Sequence, residues 1–594
     1  MTVNEKRVIG FDFGTTNSLI SQVRMDAVIN FLDEEGRPIP SLVCYEGGAK
    51  ILGRKAKEHL SHAGLGIQGN VIRSPKMYLG KDLIFVQGIE KNPVDVVADV
   101  VSFVYEQAKQ NAVELGDIAG AVVTIPVDMK GFQRKALREA FNIAGLKIIQ
   151  FVHEPLAALY GYFRENDAQQ MLRRYNNKLL LVFDWGGGTL DLTLCRPIEN
   201  TLVQLINDGT DEVGGDSFDQ IIKQSLVKKI IIERAMDEDI ELHPGAEARL
   251  IDRCERAKID LSSRDDALIY VDSYFRHDHD DFDYTLTQTE MESIISPLLE
   301  KGIKRIERIL DSAGFQSEEV ALCLATGGMS NMPAVKRRLY EWFGPERVHI
   351  PESTQTIIAE GAAWIAHDHA KLALAKNVEL NMSRNSWLPL IKAGTAMPDR
   401  GQDRTLDFHL YCTDPRDGIA KFQLCSPIRA GSQVMPNDPR IILNNLTVEV
   451  DSAAKPFHER LELDITVDEN LILEAYARSL NKKDQSKCEI HNIEFGISFP
   501  EIGNTPDPDS GIKDDNNPKD YEVSIGALAI RANVHDRIDK TLIPGELLYS
   551  YEPSYFDTRL EPPKEQVLER LYYEPCSICK KPSNDPACHC ASTL

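Results

Sequence analysis

Two stretches decide how this chain reads: IGFDFGTTNS at residues 9–18 and VFDWGGGTLDL at residues 182–192. Each is an apolar, strand-forming run, then an aspartate, a tight Gly/Thr turn and more strand sequence (SLISQV and LDLTL). Glycine lacks a Cβ and accepts the backbone angles at which successive N–H groups point the same way. Such a nest holds phosphate oxygens, and a threonine in the turn adds a hydroxyl donor. Asp12 and Asp184 would repel a phosphate, but they can accept hydrogen bonds from the water around Mg²⁺, a cation that keeps several of its waters. One such turn alone reads as an ordinary β-hairpin. Two turns with matching aspartates predict two similar lobes that clamp a nucleoside triphosphate between them.

Around these stretches, residues 1 to about 370 alternate short apolar runs (8–13, 121–125, 179–184, 320–325) with amphipathic helical segments. That pattern predicts an α/β architecture with buried strands. A third glycine turn, Gly327–Gly328, follows ALCLAT and precedes the helical KRRLYEWF, a place where an anion or a sugar–phosphate edge can sit. A fourth, Gly214–Gly215, lies in DEVGGDSFD. From about 400 to 500, alternating segments such as 405–412, 461–467 and 471–477 read as antiparallel strands. Residues 500–520 are rich in Pro, Asp, Asn and Gly and read as a loop or linker.

Composition narrows the partners. Lys and Arg number 67 against 91 Asp and Glu, a net charge of −24 over 594 residues. An acidic surface repels phosphate backbones, so nucleic acid and anionic membranes are not expected partners. No apolar run approaches the ~18 residues that span a bilayer. MTVNEKR lacks the apolar core of a signal peptide, so a cytoplasmic location is expected. Of the 11 cysteines, those from Cys44 to Cys488 sit mostly beside apolar residues and read as reduced core thiols. The others, Cys576, Cys579, Cys588 and Cys590, form two close pairs around the turn sequence PSNDPA. They can supply four thiolates to a tetrahedral Zn²⁺; the alternative is a tail of free thiols. The acidic RHDHDDFD at 276–283 reads as a solvated hairpin tip, with a metal site as the alternative.

Together, IGFDFGTTNS (9–18), TIPVDMKGFQRKALREAFNIAGL (124–146), HEPLAALYGY (153–162), VFDWGGGTLDL (182–192), VGGDSFD (213–219), CERAKIDLSS (254–263) and TGGMSNMPAV (326–335) resemble the DnaK-type heat-shock chaperones of the actin-like ATPase superfamily. The motifs occur in family order, and the resemblance continues into LDITVDENLILEAYARSL at 463–480. It implies a two-lobed actin-like ATPase domain (1–372), a linker (373–400), a β-rich substrate-binding-like domain (401–500), an irregular extension (501–570) and the cysteine tail (571–594).

The same resemblance implies ATP and Mg²⁺ in the central cleft. Gly14, Thr15, Thr16 and Asn17 match one phosphate turn, and Gly186, Gly187, Gly188 and Thr189 the other. Asp12 and Asp184 match the residues that position hydrated Mg²⁺ and the attacking water, and Asp191 follows in the same motif. Lys76, in RSPKMYLG, matches the catalytic lysine, and Glu154, in HEP, a carboxylate near the metal. Glu255, Lys258 and Ser262 match ribose and adenine contacts, with Gly214, Gly215, Gly327 and Gly328 around the nucleoside. Pro126 and Arg134 match a pair that couples the ATP site to the substrate domain. Two departures fall on the base: Ile259 and Asn331 stand where the family typically sandwiches adenine between arginines, and Met329 replaces a small polar residue.

The reading that follows is a slow ATPase with chaperone-like polypeptide binding, served by J-domain and nucleotide-exchange cochaperones. A nucleotide-gated adaptor with one dedicated partner is the second reading. A sugar or small-molecule kinase of the same superfamily fits least, because 124–146 and 153–162 look chaperone-type throughout.

Overall fold

The computed structural model describes residues 7–500 apart from 63–69, 82, 87–88, 112–116, 238–239, 244, 277–280, 384–385 and 432–433; beyond 500 it describes the strands Leu528–Ile530 and Leu547–Tyr549. The two quoted stretches fold as antiparallel hairpins. Arg7–Phe13 pairs with Asn17–Arg24, setting Asp12 opposite Leu19. Leu179–Trp185 pairs with Leu190–Ile198, setting Asp184 opposite Asp191.

Each hairpin lies inside a larger sheet. In the first, Ile148–His153 and Ile118–Ile125 run parallel to Arg7–Phe13, and Ala27–Phe31 extends the far side antiparallel. In the second, Val348–His349 and Val320–Thr326 run parallel to Leu179–Trp185, and Thr201–Thr210 extends the far side. Strands covered on both faces read as near-continuous apolar runs, and Leu179–Trp185 is buried at every position. Phe11, Phe141 and Leu159 belong to the core of the first lobe, Trp185 and Phe218 to that of the second.

The C-terminal part is a β-sandwich of two five-stranded sheets. One contains Trp387–Ile391, Val378–Asn381, Ile419–Pro427, Pro439–Glu449 and Leu547–Tyr549; the other Gln485–Ile490, Leu473–Ser479, Arg460–Val467, Arg404–Cys412 and Leu528–Ile530. Residues 373–400, expected to be a linker, contain Val378–Asn381 and Trp387–Ile391, which are strands of the sandwich itself. The polar sequence there hides the first of these strands because Val378, Glu379 and Leu380 are all buried, the charged residue among them.

The boundary at 500 also crosses the architecture. Phe495–Ser498 leaves the sandwich and joins the second ATPase sheet, where it pairs antiparallel with Thr201–Thr210 on one side and with Leu372–Leu374 on the other. Phe499 follows and stacks on Tyr160, ring centroids 4.2 Å apart. The first lobe and the sandwich consequently share one packed core, in which Phe141 and Leu463 belong to the same cluster.

Candidate functional site

The two hairpin turns meet across the cleft. A Cβ on Gly187 would fall 2.0 Å from Thr16 Oγ1, and one on Gly188 would fall 2.5 Å from Thr15 Cγ2; only glycine allows that approach. The first turn is braced from behind: the Ser41 hydroxyl donates to Gly14 O at 3.1 Å and the Ser41 N–H to Thr16 O at 2.8 Å. The second is braced by the N-terminus of helix Gly215–Glu233, whose Gly215 and Asp216 N–H groups donate to Gly186 O and Gly187 O at 3.1 and 2.7 Å. Thr16 Oγ1 is buried and has no hydrogen-bond partner among the described residues, as expected of a donor kept for a phosphate oxygen.

Beneath the turns lies a cluster of acids. Asp12 accepts a hydrogen bond from Thr124 Oγ1 at 2.6 Å, and Asp184 one from Thr326 Oγ1 at 3.0 Å. Burial, with the Glu154 carboxylate adding repulsion, pushes Asp12 up to about 7 and Asp184 up to about 8. Asp191, which accepts from the Val127 N–H at 3.2 Å, is raised for the same two reasons. Carboxylates crowded in this way call for a cation, and this oxygen-only donor set suits Mg²⁺. Lys76 Nζ lies 2.9 Å from Glu154 Oε1, both side chains buried. The lysine rides on the short 3₁₀ turn Pro75–Tyr78, entered through Ser74 in the left-handed region (φ 51°).

A cavity of about 250 Å³ opens above the acids. The residues named from sequence divide around it. Asp12, Gly14, Thr15, Thr16, Asn17, Glu154, Asp184, Gly186, Gly187, Gly188, Thr189, Gly215, Glu255, Lys258, Ser262, Gly327, Gly328, Met329 and Asn331 line it. Lys76, Asp191 and Gly214 stand behind that lining, Gly214 packed so tightly that a Cβ would fall 2.4 Å from Gly188 C. In the base half, Ile259 is 53% exposed, and the Asn331 amide is tied to Thr354 Oγ1 at 2.8 Å.

Several residues escaped the sequence reading. Asp216 and Asp219, inside the quoted VGGDSFD, line the cavity, and Lys258 Nζ pairs with Asp219 at 2.8 Å. Their motif was visible even though their roles were not. Lys57 and Arg73 reach across the cleft to Glu255, at 2.7 and 3.0 Å; no local pattern marks them.

Pro126 and Arg134 lie away from the nucleotide cavity. Arg134, on helix Gly131–Ile143, is fully buried and donates to Met129 O, Leu471 O and His491 O at 2.9, 3.0 and 3.0 Å. Arg138, one turn on, donates to Asn470 Oδ1 at 2.7 Å and Glu469 O at 2.8 Å. Both arginines therefore grip the sandwich turn at residues 468–472. Asp468 shapes that turn by accepting from the Asn470 and Ile472 N–H groups, with Leu471 in the left-handed region (φ 60°). Cys576, Cys579, Cys588 and Cys590 lie outside the described residues, as do residues 277–280 of the acidic hairpin. Among the described residues, no helix is long and apolar enough to cross a membrane.

Residues 80–381 match the family model described as Hsp70 protein. A chaperone protein HscA homolog of Vibrio cholerae is 29% identical over 477 residues, covering 72% of this chain and 73% of the relative. Chaperone protein DnaK of Thermosipho melanesiensis is 30% identical over 375 residues, covering 61% and 59%. An HscA homolog of Cupriavidus taiwanensis is 27% identical over 517 residues, covering 77% and 78%.

Proposed function

The chain belongs to the Hsp70 family, and from that premise we propose that it is a slow, Mg²⁺-dependent ATPase whose nucleotide state governs polypeptide binding by the C-terminal β-sandwich. Hsp70-family chaperones are ATPases that use ATP with Mg²⁺. The observation that carries the reading here is the meeting of two phosphate turns, with the orphaned Thr16 hydroxyl, over Asp12, Asp184 and Glu154. Hydrolysis in such a site depends on positioning and charge stabilisation and needs no covalent step. Asp12 and Asp184 hold hydrated Mg²⁺, Glu154 and Asp191 orient water, and Lys76 offers positive charge to the transferred phosphoryl group. Thr189, which lines the cavity, positions the second turn.

The test is turnover by the purified chain. ATP hydrolysis is expected to need Mg²⁺. It should fall in Lys76→Ala and Thr189→Ala while ATP binding persists, because backbone N–H groups still hold the phosphates. Unchanged turnover in both variants would remove the assignment.

The partner is then an extended polypeptide, with J-domain and nucleotide-exchange cochaperones in a cytoplasmic setting. A second reading, an adaptor with one dedicated partner, is favoured by the return of Phe495–Ser498 into the ATPase sheet, which ties the sandwich to the ATPase unit through a second strand. Capture experiments with ATP-locked and ADP-bound protein separate them: many extended clients support the chaperone, one stoichiometric partner the adaptor. The tail cysteines carry a separate proposal of a Zn²⁺ knuckle, whose metal should vanish from elemental analysis in Cys576→Ser/Cys579→Ser while ATPase activity persists.

A further inference from the structure

Away from the acids of the cleft, one other group of metal-binding side chains converges among the described residues, on the part of the first lobe that faces the second across the cleft. Strand Leu42–Glu46 sets Cys44 and Glu46 on one face, two residues apart, and helix Gly53–His62 brings His59 over that face. The Cys44 sulfur, a Glu46 carboxylate oxygen and an imidazole nitrogen of His59 all lie within 4.8 Å of one another. His59 Nδ1 stands 3.9 Å from Glu46 Oε2. Cys44 is fully buried beside Leu42 and Ala56, whereas the side chains of Glu46 and His59 are 45% and 37% exposed. Solvent therefore reaches the carboxylate and the imidazole, and the sulfur closes the site from the core side. Asn70 Nδ2 donates to Cys44 Sγ at 3.2 Å, the kind of outer contact that orients a ligating sulfur.

We propose that Cys44, Glu46 and His59 bind a zinc-class divalent transition-metal ion, with water as the fourth ligand. Sulfur and imidazole donors select this class over Mg²⁺ or Ca²⁺. Ligands about 2.0–2.3 Å from a tetrahedral ion stand closer together than these donors do, and the two exposed side chains can rotate inward to close the difference. Binding replaces the thiol proton of Cys44, which is released to solvent.

The site also bears on the cleft. His59 shares its helix with Lys57, whose ammonium pairs with Glu255 of the second lobe at 2.7 Å. An ion joining that helix to strand Leu42–Glu46 stiffens the base from which the cross-cleft pair is made, and so slows nucleotide release. This consequence rests on the nucleotide site proposed above; the metal site does not.

The experiment uses the full-length chain with Cys576, Cys579, Cys588 and Cys590 changed to serine, so that the tail cannot contribute. Co²⁺ titration should give a near-ultraviolet thiolate-to-cobalt band and intense visible bands of tetrahedral coordination, saturating at one equivalent and reversed by Zn²⁺. Cys44→Ser should abolish the near-ultraviolet band. His59→Ala, at a partly exposed position that does not threaten the fold, should weaken Co²⁺ binding by about 10-fold or more. No charge-transfer band, or a band that His59→Ala leaves unchanged, overturns the site. Release of a fluorescent ATP analogue should be several-fold slower with Zn²⁺ in the parent and insensitive to Zn²⁺ in His59→Ala. Equal rates in the parent overturn the link to the cleft, and the cobalt bands judge the site independently.

Discussion

The first ATPase sheet runs Ile148–His153, Ile118–Ile125, Arg7–Phe13, Asn17–Arg24, Ala27–Phe31; the second repeats the same sequence of parallel and antiparallel neighbours from Val348–His349 to Thr201–Thr210. The two part company at the far strand. Ala27–Phe31 ends its sheet, whereas Thr201–Thr210 pairs onward with Phe495–Ser498 and then with Leu372–Leu374. The shared plan brings one glycine turn and its preceding aspartate from each sheet, Asp12 from the first and Asp184 from the second, while Asp191 comes from the second alone. The unshared edge serves attachment: a strand with unpaired N–H and C=O groups is a template for another strand, and here the chain fills its own template. The lobes are thus alike in the turn each brings to the cleft and unequal toward the rest of the molecule.

The largest expected effect tests that likeness. Asp12→Asn and Asp184→Asn should each lower ATP turnover by about 100-fold or more, the scale of removing one preorganised charge-stabilising group. Single-turnover hydrolysis under saturating Mg²⁺ and ATP measures it. A full effect in one variant and none in the other would show that the two turns are alike in shape only.

Next comes the attachment. Arg134→Ala strands the buried carbonyls of Leu471 and His491, and at about 1–3 kcal/mol for each unsatisfied group the chain should lose about 3 kcal/mol in denaturant unfolding. Proteolysis between the ATPase unit and the sandwich should quicken as well. Full stability in the variant would mean that the grip contributes little.

A smaller effect follows from His153. It is fully buried, hydrogen-bonded through Nδ1 to Gln204 and edge-on to Phe495. Burial, with the Arg134 guanidinium adding repulsion, lowers it to about 3. Between that value and its ordinary 6.5 the unfolded chain binds the proton and the folded chain does not. Its contribution to stability is therefore intact above pH 6.5 and lost as pH falls toward 3, at up to about 1.4 kcal/mol per pH unit. His153→Asn should flatten that part of the acid profile. An identical slope from pH 6.5 to 4.5 in both proteins would assign the acid sensitivity elsewhere.

The smallest effect concerns the base. The resemblance implies that Ile259 and Asn331 stand where the family typically stacks two guanidiniums on adenine, contacts of about 0.5–2 kcal/mol each. ATP should bind more weakly than in relatives that carry both arginines, and competition with GTP should show weak discrimination. Strictly adenine-selective, tight binding would mean that another group has filled the space.

The split between shared plan and unshared edge also explains what the sequence discloses. The turns at 14–17 and 186–189 are local: an aspartate, glycines and a threonine within a few residues suffice, so the phosphate half of the site was legible. The relation between Arg134 and Leu471 was not, because it joins positions 337 residues apart. Asp468, Asn470 and Leu471 read as an ordinary hairpin turn until the arginines approach them. Phe495–Ser498 carries too few residues to show a period, and its membership in a sheet whose other strands end at residue 374 follows only from packing. The polar stretch near 380 misled for a related reason: Glu379 and Arg440 are buried as an ion pair at 2.9 Å, and a buried charge imitates a surface sequence.

Leu372–Leu374 leads into the sandwich, Phe495–Ser498 leads out of it before the chain returns with Leu528–Ile530 and Leu547–Tyr549, and the first two are cross-strand neighbours, Leu374 facing Phe495. The sandwich is therefore carried on a two-ply stem and not on a single thread. A thread lets its load swivel about any axis. Two plies joined along their length resist twisting and leave essentially one direction of bending, so any swing of the sandwich is confined to an arc about the edge of the second sheet.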